Sequence, residues 1–300
     1  MKIIITGGSG FVGSHLSDYL LNGGHRVTAL GRSVDYHRMP HQNYKYISAD
    51  TTRTGDWQKE FEDADAVVNL AGTTIFKRWT TSYKKDIYES RILSTRNVVA
   101  SLPRGKNITL CSASGAGYYG SRGDDLLKED EKPGDDFLAG VSVAWEKEAL
   151  QAADENLRVI VMRFGVILGK DGGAMAKMIP AFKFFVGGSM GSGRQWFPWL
   201  HLTDLMAAVQ FMLDNDQVKG PVNFCAPNPT RYRDLAKTLG KALNRPAVMP
   251  APAFLIRFAL GEFGDVFLAS QRTVPHKLLS HGFSFQYPNI TDAIRAVVEG

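Results

Sequence analysis

The first 170 residues alternate short runs of aliphatic and β-branched residues with longer stretches in which apolar positions recur every three or four residues. Runs of the first kind are typical of strands buried in a parallel sheet, and stretches of the second kind are typical of the helices that cover it. The pattern predicts strands at residues 2–6, 25–30, 44–48, 66–69, 108–112 and 159–164, and helices at residues 12–22, 82–102 and 137–155. We therefore predict an α/β fold with a doubly wound parallel sheet and ligands at the carboxyl ends of its strands.

The pattern changes after residue 169. The stretches GKDGGAM, VGGSMGSGRQWFPW and CAPNPTRYRD are rich in loop-forming residues, and short helices are predicted at residues 202–214, 232–243 and 253–260. We predict a first domain of residues 1–170 and a smaller mixed α/β lobe of residues 171–300 on the substrate side of the sheet. The pattern leaves open a return of the chain to the first domain around residues 195–225.

Composition narrows the class of protein. No apolar run approaches the ~20 residues of a membrane span, so we expect a soluble, cytoplasmic protein without membrane association. The net charge of +5 is scattered along the chain, which argues against nucleic acid and fits a phosphate-bearing small molecule. The seven histidines show no spacing typical of a metal site, and Cys111 and Cys225 lie in apolar runs typical of buried cysteines.

The run TGGSGFVG follows the first predicted strand and opens the first helix, with Gly7, Gly10 and Gly13 in a GxxGxxG spacing. Glycines there permit a turn with positive φ, close approach of a diphosphate to bare backbone, and close packing of the helix on the strand. The helix N-terminus supplies free N–H groups and partial positive charge to phosphates. A tight turn without a ligand is the alternative, but the placement between two strands favours a dinucleotide site that includes Phe11 and Val12.

The end of the second strand discriminates between the two pyridine dinucleotides. A carboxylate there accepts hydrogen bonds from the 2′-hydroxyl of NAD, whereas the 2′-phosphate of NADP requires a cation. The sequence reads ALGRS, with Gly31 at the acid position, followed by Arg32 and Ser33. This pattern favours NADP(H), and a solvated surface arginine is the alternative interpretation of Arg32.

Two further strand ends are expected to complete the nucleotide site. Asp50 follows the third strand at a place suited to the adenine amino group, and helix capping is the alternative role. NLAG ends the fourth strand, and its Leu70, Ala71 and Gly72 are expected to lay backbone flat against the cofactor. A plain turn from strand to loop is the alternative there.

Several motifs occur together along the chain: TGGSGFVG, NLAG, SASGAGYYG, MRFGVILGKDGGAM, GSGRQWFPWLHLTDL and the tail SQRTVPHKLLSHGFSFQYP. As a set they resemble the extended short-chain dehydrogenase/reductase (SDR) superfamily. More narrowly, the chain resembles an atypical branch, the "epimerase family" proteins, which are similar to NAD(P)-dependent nucleoside-diphosphate-sugar epimerases and carry a small C-terminal domain of unknown function. The resemblance covers nearly the whole chain and implies a Rossmann fold.

In the parent superfamily, a serine after the fifth strand and a Tyr-x-x-x-Lys pair on the next helix carry the proton transfer. The lysine lowers the pKa of the phenol from ~10 toward neutrality. Ser114 fits the serine, but the two helix positions hold Val141 and Trp145, or Gly140 and Ala144 in the neighbouring register. The chain therefore lacks the usual proton donor.

Tyr118 stands shortly after Ser114 and is the candidate to replace the missing phenol. In the parent pattern the equivalent tyrosine lines the pocket, so packing or stacking on the substrate competes with an acid–base role. The loss of a tuned general acid reduces a rate by ~10²–10⁴, so slow catalysis stays open.

The resemblance implies four further cofactor residues. Arg91 stands where the parents have an asparagine on the nicotinamide side, and Asp86 lies on the same predicted helix. The alternatives are a helix-surface salt bridge for Arg91 and a solvated face for Asp86. Arg163 ends the sixth strand and is expected to hold the loops around the cofactor. Ile167 is expected to approach the nicotinamide ribose.

Substrate contacts are expected from two motifs. Arg78 and Trp79 in FKRWT follow NLAG at the open edge of the sheet, where a cation and a flat aromatic suit an anionic or ring-bearing ligand. Trp199 and His201 lie in FPWLHLTD, which resembles a parental motif near the substrate. A structural role, with Asp204 starting the following helix, is the alternative for this second motif.

Two functions remain in competition. The first is an NADP(H)-dependent oxidoreductase or epimerase-like enzyme that acts on a small, anionic or nucleotide-linked substrate. The second is a non-catalytic NADP(H)-binding redox sensor or scaffold, which accounts directly for the missing tyrosine and lysine. The resemblance also implies a homodimer formed through the long helices.

Overall fold

Helices cover a central parallel sheet on both faces. The computed structural model describes residues 1–36, 40–154 and 156–299. Within these ranges the strands are β1 (Lys2–Thr6), β2 (Arg26–Gly31), β3 (Tyr44–Ser48), β4 (Ala66–Asn69), β5 (Ile108–Gly115), β6 (Leu126–Leu127), β7 (Leu157–Phe164), β8 (Val166–Leu168), β9 (Trp196–Phe197), β10 (Trp199–His201), β11 (Gly220–Phe224), β12 (Thr230–Arg231) and β13 (Arg272–Thr273).

The helices of the same ranges are α1 (Phe11–Asn22), α2 (Thr81–Ser101), α3 (Phe137–Leu150), α4 (Met175–Lys183), α5 (Leu202–Asp214), α6 (Tyr232–Ala242), α7 (Ala253–Leu260), α8 (Phe263–Leu268), α9 (His276–Ser280) and α10 (Ile290–Glu299). Short 3₁₀ helices lie at Asp56–Phe61 and Ala116–Tyr119. The long helices begin at side-chain caps: the Thr80 hydroxyl accepts the Tyr83 amide before α2, and the Asp136 carboxylate accepts the Ala139 amide before α3. None of the helices in the described ranges is long and apolar enough to cross a membrane.

Seven of the described strands form the main sheet, in the order β3-β2-β1-β4-β5-β7-β11, and each neighbouring pair is parallel. The central strands are buried on both faces, as expected for a parallel sheet between two helical layers. The strand order reverses between β1 and β4, so a crevice is expected beyond their carboxyl ends. The predicted α/β fold with a doubly wound, Rossmann-like sheet is confirmed.

The hydrophobic pattern located six of the strands of this sheet and missed β11. This strand has the sequence GPVNF, and Gly220 and Pro221 interrupt the apolar run that marks the other strands. Proline is tolerated because β11 lies at the edge of the sheet. With α5 and β11 the chain returns to the sheet before it builds the rest of the C-terminal lobe.

Helix α3 ends at Leu150, earlier than predicted. The Asp154 carboxylate accepts the amides of Asn156 and Leu157 at 2.8 Å each, and this turn directs the chain into β7. Aspartate at such a position offers the backbone an alternative to helical hydrogen bonds. The predicted last residue, 155, lies outside the described residues.

Separate hydrophobic clusters fill the two sides of the sheet and the lobe. One side packs under α1 and α5 through residues such as Leu16, Leu20 and Leu205, and the other packs under α2 and α3 through Val98 and Ala149. The lobe cluster gathers side chains of α4, α6 and α10: Met175, Phe182, Leu235, Leu239, Ile294 and Val297.

The C-terminal lobe contacts the loop that follows β4 and the start of α2. The Lys84 ammonium donates to the Glu262 carboxylate at 2.7 Å. The ring of Phe263 lies 5.9 Å from that of Phe76 and 5.6 Å from that of Trp79. These contacts hold α7 and α8 beside the open edge of the sheet.

Candidate functional site

A cleft of about 260 Å³ opens at the carboxyl ends of β1, β2 and β4. Its walls are the glycine turn after β1, the end of β2, the segment after β3 and the run after β4. The lining residues are Gly7, Ser9, Gly10, Leu30, Gly31, Arg32, Ser33, Ala49, Asp50, Thr51, Thr52, Leu70, Ala71, Gly72, Thr73 and Ser90. The expected cofactor residues that line it are Gly7, Gly10, Gly31, Arg32, Ser33, Asp50, Leu70, Ala71 and Gly72.

The glycine turn brings bare backbone to the cleft. Gly7 has a φ of +69°, a conformation that side chains rarely adopt, and a Cβ there would stand 2.8 Å from the Leu70 carbonyl oxygen. A Cβ on Gly13 would stand 2.4 Å from the Gly7 carbonyl oxygen, so the first turn of α1 packs directly on the glycine turn. Gly10 precedes α1 and provides no side-chain cap, which leaves the first amides of the helix available to an anion.

The end of β2 has no room for a side chain. A Cβ on Gly31 would stand 2.4 Å from the Ser9 Oγ and 2.8 Å from the Tyr46 hydroxyl. A side chain at this position therefore requires the Ser9 hydroxyl and the Tyr46 side chain to move away. The next two residues, Arg32 and Ser33, are exposed at the rim of the cleft.

Asp50 lies on the same side of the cleft as Arg32. Its carboxylate accepts the backbone amide of Thr52 at 3.1 Å and the Thr52 hydroxyl at 2.7 Å. Burial alone raises the pKa of Asp50, but the Thr52 hydrogen bonds and the charges of Arg32 and Arg53 outweigh it and hold the pKa below its ordinary value. Asp50 thus forms a local turn with Thr52 rather than a helix cap and presents a charged acceptor at the cleft wall.

Arg91 reaches the cleft wall from α2. Its Nη1 donates to the carbonyl oxygens of Thr73 and Ile87, and a Cβ on Gly72 would stand 3.3 Å from its Cζ. Among the described residues, no carboxylate pairs with this guanidinium, and its Nε and Nη2 have no hydrogen-bond partner. Burial lowers the pKa of Arg91 to about 10, so the group stays charged at neutral pH.

The α3 positions at which the resemblance leads us to expect the superfamily dyad hold no ionisable side chain. Val141 and Trp145 are buried, and the Trp145 indole donates to the Thr95 hydroxyl at 2.8 Å. The Arg91 Cζ lies 5.1 Å from the centre of the Trp145 ring. In the neighbouring register, Gly140 is exposed and Ala144 is half-buried. A cation–π contact between Arg91 and Trp145 therefore lies beside these α3 positions.

Ser114 does not have the geometry expected of a catalytic donor. It is 3% exposed, and its hydroxyl donates to the Glu146 Oε1 at 2.7 Å. The same carboxylate receives two hydrogen bonds from Arg163, each 2.8 Å long. Because the Ser114 proton is directed to a buried carboxylate, it is not available to polarise a substrate carbonyl.

Arg163 is buried and bonds to residues of neighbouring loops. Its side chain is 2% exposed, and its Nη1 donates to the Tyr119 hydroxyl and the Glu129 carbonyl oxygen. Burial alone would lower the pKa of Arg163, but Glu146 outweighs this effect and raises it. Arg163 therefore ties β7 to α3 and to the loop after β5, and it does not line the cleft.

Tyr118 lies on the outer side of this ion pair. Its ring centre is 3.4 Å from the Arg163 Cζ, a stacked cation–π contact. Together with Val143, Lys147 and Leu150 it lines a shallow groove along α3 rather than the nucleotide cleft. The arrangement gives Tyr118 a packing role, and it does not support the expected acid–base role.

Arg78 and Trp79 follow the cleft wall, beside the C-terminal lobe. Arg78 is exposed. The Trp79 indole donates to the Ile75 carbonyl oxygen at 3.0 Å, and its ring contacts Phe137 and Phe263 at 5.2 and 5.6 Å between centres. Trp79 therefore anchors an aromatic cluster between the cleft and the lobe, with Arg78 as the exposed cation beside it.

The second pair of expected substrate residues is buried. Trp199 is 1% exposed and donates to the Thr230 hydroxyl, and His201 is 7% exposed. The His201 Nδ1 accepts the Thr203 amide at the start of α5, and burial lowers the pKa of His201 to about 4. Asp204 accepts the amides of residues 286 and 287. Trp199 and His201 are therefore buried and make contacts within the protein, and neither lines the nucleotide cleft.

The remaining expected cofactor residues lie near the cleft without lining it. The Phe11 ring packs against the GKDGG turn, where a Cβ on Gly172 would approach it to 2.2 Å. Val12 packs on the core under the sheet, and Ile167 is half-buried in β8. Asp86 is exposed on α2.

Sequence reasoning missed several hydroxyl-bearing residues of the cleft: Ser9, Thr51, Thr52, Thr73 and Ser90. Each directly follows or precedes a residue that the motifs had selected, apart from Thr52. Proximity in sequence was therefore the available signal. No group of histidine, cysteine and carboxylate side chains in the described part of the chain could hold a metal ion, and both cysteines are free and buried.

Comparisons with known proteins agree with this geometry. The profile of the NAD dependent epimerase/dehydratase family matches residues 3–225, and that of a domain of unknown function, DUF1731, matches residues 251–297. An epimerase family protein SDR39U1 homolog, chloroplastic, of Arabidopsis thaliana is 38% identical over 303 residues, covering 100% of this chain and 87% of that protein. An epimerase family protein of Staphylococcus haemolyticus is 40% identical over 301 residues, 99% of each chain.

Similar solved structures support the same family assignment. The crystal structure of human epimerase family protein SDR39U1 (isoform2) with NADPH superposes with a TM-score of 0.87 at 29% identity and covers 100% of both chains. A nucleoside-diphosphate sugar epimerase from Corynebacterium glutamicum gives a TM-score of 0.77 at 32% identity, covering 99% of this chain and 58% of that one. The chain belongs to the NAD dependent epimerase/dehydratase family and to its epimerase family branch with a C-terminal DUF1731 domain.

Proposed function

We propose that this protein binds NADP(H) in the cleft and acts as an oxidoreductase or epimerase-like enzyme on a small anionic substrate. The observation that carries the cofactor assignment is the end of β2, where the sequence has no carboxylate, Gly31 is crowded by the side chains of Ser9 and Tyr46, and Arg32 follows at the rim. A guanidinium at this position suits a 2′-phosphate, which a carboxylate would repel. The human relative whose structure contains NADPH supports the same assignment.

Different residues of the cleft bind different parts of the dinucleotide. The glycine turn and the first amides of α1 receive the diphosphate, because they present N–H groups and partial positive charge. Asp50 accepts the adenine amino group, and Arg32 with Ser33 holds the 2′-phosphate. NADP(H), when bound, supplies or accepts the hydride.

The cofactor assignment is tested by titrating the purified protein with NADPH and NADH and following intrinsic fluorescence. We expect tighter binding of NADPH, and we expect Arg32→Ala to weaken it about tenfold to a hundredfold, as for the loss of a charge-assisted phosphate contact. NADH affinity should stay unchanged in this variant. Arg53→Ala is the matched control, because Arg53 also lies near Asp50 but does not line the cleft.

Two outcomes would contradict the NADP assignment. One is equal affinity of the unmodified protein for NADPH and NADH. The other is an Arg32→Ala variant that retains the NADPH affinity of the unmodified protein.

The positive charges of Arg91 and Arg78 support an anionic substrate. Arg91 has a charged guanidinium with free donors beside Gly72, and Arg78 is exposed at the same open edge. A screen of carbonyl compounds, each with a matched neutral ester, should show NADPH oxidation with the acids and not with the esters. Turnover of the esters at the rate of the acids would exclude an anionic requirement.

A second candidate function is a non-catalytic NADP(H)-binding sensor. The observation that favours it is the combination of apolar residues at both dyad positions with a Ser114 hydroxyl committed to Glu146. The sensor function predicts a difference in backbone hydrogen exchange of the C-terminal lobe between the NADP⁺ and NADPH complexes. The enzyme function predicts turnover with a substrate found in the screen, and a protein that shows turnover without that difference is an enzyme.

A further inference from the structure

Exposed apolar side chains concentrate on the C-terminal lobe. They belong to residues 184–186, residues 248–249 and the outer side of α7, where Phe254, Leu255 and Phe258 lie. We call this surface the lobe patch. Phe184 is 77% exposed and Phe258 is 84% exposed, values unusual for large aromatic side chains.

Hydrogen bonds join the two main segments of the lobe patch into one surface. The Met249 amide donates to the Gly187 carbonyl oxygen at 3.4 Å, and the Ala251 amide donates to the Ser189 carbonyl oxygen at 2.8 Å. The Arg245 Cζ lies 4.9 Å from the centre of the Phe185 ring. Helix α7 starts at Ala253, directly after this ladder, so its exposed face continues the same surface.

The backbone at Phe185 supports a role for the exposed side chains. Phe185 has a φ of +62°, in the left-handed region that bulky residues avoid. The turn is held by the Phe185 amide on the Phe182 carbonyl oxygen and by the Val186 amide on the Ala181 carbonyl oxygen, both at 3.0 Å. Phe184 is largely exposed and Phe185 is about half exposed, with Arg245 as its cation–π contact, so little apolar packing offsets the strain, and strain of this kind is typical of functional sites.

The chain segments that form the lobe patch carry charged side chains of positive sign only. Residues 172–203 and 235–261 contain no aspartate or glutamate, so all 30 acidic residues lie elsewhere in the chain. The cations of these segments are Lys177, Lys183, Arg194, Lys237, Lys241, Arg245 and Arg257. Within the part of the chain that the structure describes, only Arg257 among them pairs with a carboxylate, that of Asp265.

We propose that the lobe patch docks the protein onto the surface of an anionic phospholipid bilayer. Aromatic and aliphatic side chains that project beyond a cationic rim can enter the boundary between headgroups and acyl chains. The unpaired lysines and arginines then face anionic headgroups. A second copy of the chain fits less well, because it would bring the same positive charges against each other.

Docking of this kind needs no membrane-spanning helix, and it revises the expectation of no membrane association. It also relates the surface to the cleft. Helix α7 leads through Gly261 to Glu262 and Phe263, which contact Lys84 and Phe76 beside the cleft opening. The proposed lipid contact and the cleft opening are therefore connected through one short segment, while the docking proposal stands independently of the proposed enzymatic activity.

The test is vesicle flotation of the full chain. One set of vesicles contains phosphatidylcholine alone, and the other contains three parts phosphatidylcholine to one part phosphatidylglycerol. We expect flotation with the anionic vesicles only, and we expect it to weaken as salt concentration rises. Phe258→Ser should reduce the partition coefficient at least about tenfold because it removes a large apolar side chain from the contact.

Matched variants separate the lobe patch from general surface effects. Leu255→Ser lies in the patch and Leu279→Ser lies outside it, with exposed fractions of 49% and 48% in the parent protein. Only the first should weaken flotation. Lys241→Glu should weaken it at least about fivefold, and Lys85→Glu on α2 should not.

Four results would overturn the proposal. They are no flotation with either vesicle, equal flotation with both vesicles, and equal losses in the Leu255→Ser and Leu279→Ser variants. The fourth is a stable dimer in sedimentation equilibrium that Phe258→Ser dissociates, because the patch would then be an interface between two copies of the chain. Thermal melts of every variant verify that the fold is retained.

Discussion

The steric limit at Gly31 can be tested with a matched pair of glycine substitutions. In Gly31→Ala the new Cβ would stand 2.4 Å from the Ser9 Oγ and 2.8 Å from the Tyr46 hydroxyl. In Gly140→Ala, on the exposed side of α3, a Cβ meets no atom within 4 Å. Neither glycine has a positive φ. The chemical change is the same, so any difference in outcome reports the surroundings.

The expected effects have opposite signs. Overpacking by one methyl group costs about 1–3 kcal/mol, and at this chain length each kcal/mol lowers the melting temperature by about 2 °C. Gly31→Ala should therefore melt about 2–6 °C lower than the parent protein. Gly140→Ala should gain about 0.5–1 kcal/mol, because alanine loses less conformational entropy in a helix. Since Ser9 lines the cleft, Gly31→Ala should also weaken NADPH binding about tenfold.

Thermal melts and NADPH titrations of both variants check these values. Adding Ser9→Ala and Tyr46→Phe to Gly31→Ala removes both oxygen atoms from the crowded volume and should restore most of the lost stability. A Gly31→Ala variant that melts with the parent protein and binds NADPH equally well would refute the steric account. It would also remove the physical reason for the absence of an acidic residue at this position.

The remaining predictions concern buried groups. Glu146→Leu should cost about 3–5 kcal/mol in urea unfolding because it leaves Arg163 buried without a partner, and adding Arg163→Met should recover most of this loss. Burial lowers the pKa of His201 to about 4 from 6.5, so the unfolded chain binds a proton that the folded protein does not, and stability should fall by up to about 3 kcal/mol as pH drops through this window. His201→Gln should flatten that dependence in urea midpoints measured across pH. Burial raises the pKa of the Cys111 and Cys225 thiols to about 12, so a thiol reagent should modify them only at the rate of unfolding, and fast modification in native buffer would contradict their burial.

The sequence predicted the fold well because its strands are dictated by local composition. Runs such as KIIIT and AVVN are buried on both faces of the sheet, and few other positions in a fold accommodate them. Strand β11 escaped prediction because Pro221 and Gly220 break its pattern, while its place at the edge of the sheet is a tertiary property. The early end of α3 likewise depends on the hydrogen bonds of Asp154. The spacing of apolar residues along the chain does not predict such hydrogen bonds.

The candidate site shows the same difference between what local sequence predicts and what depends on tertiary contacts. Residues whose role rests on backbone geometry, such as Gly7 and Gly31, were located at the cleft because glycine itself indicates a steric requirement. Residues whose role rests on a side chain were located at the cleft only where they come shortly after a strand of the sheet, as Arg32 and Asp50 do, and Ser114 does not line the cleft. The partner of Ser114 is Glu146, 32 residues away on α3, and nothing local to SASGAGYYG predicts that contact.

The charged groups around the expected dyad positions limit the proton transfers that this region can perform. The superfamily pair combines a phenol that exchanges a proton with an amine that lowers its pKa, whereas here Arg91 is stacked on Trp145. With a pKa of about 10, Arg91 keeps its proton at neutral pH. It can hold an anion in place, but it is a poor general acid, because efficient proton transfer requires a pKa near the working pH. Tyr118 and Ser114, the other candidates, are both engaged with the Glu146–Arg163 pair. The region around Arg91 and Trp145 therefore holds a positive charge without an exchangeable proton, an arrangement that favours binding of an anion and, if the proposed enzymatic function is correct, requires the substrate or solvent to provide any proton that is transferred.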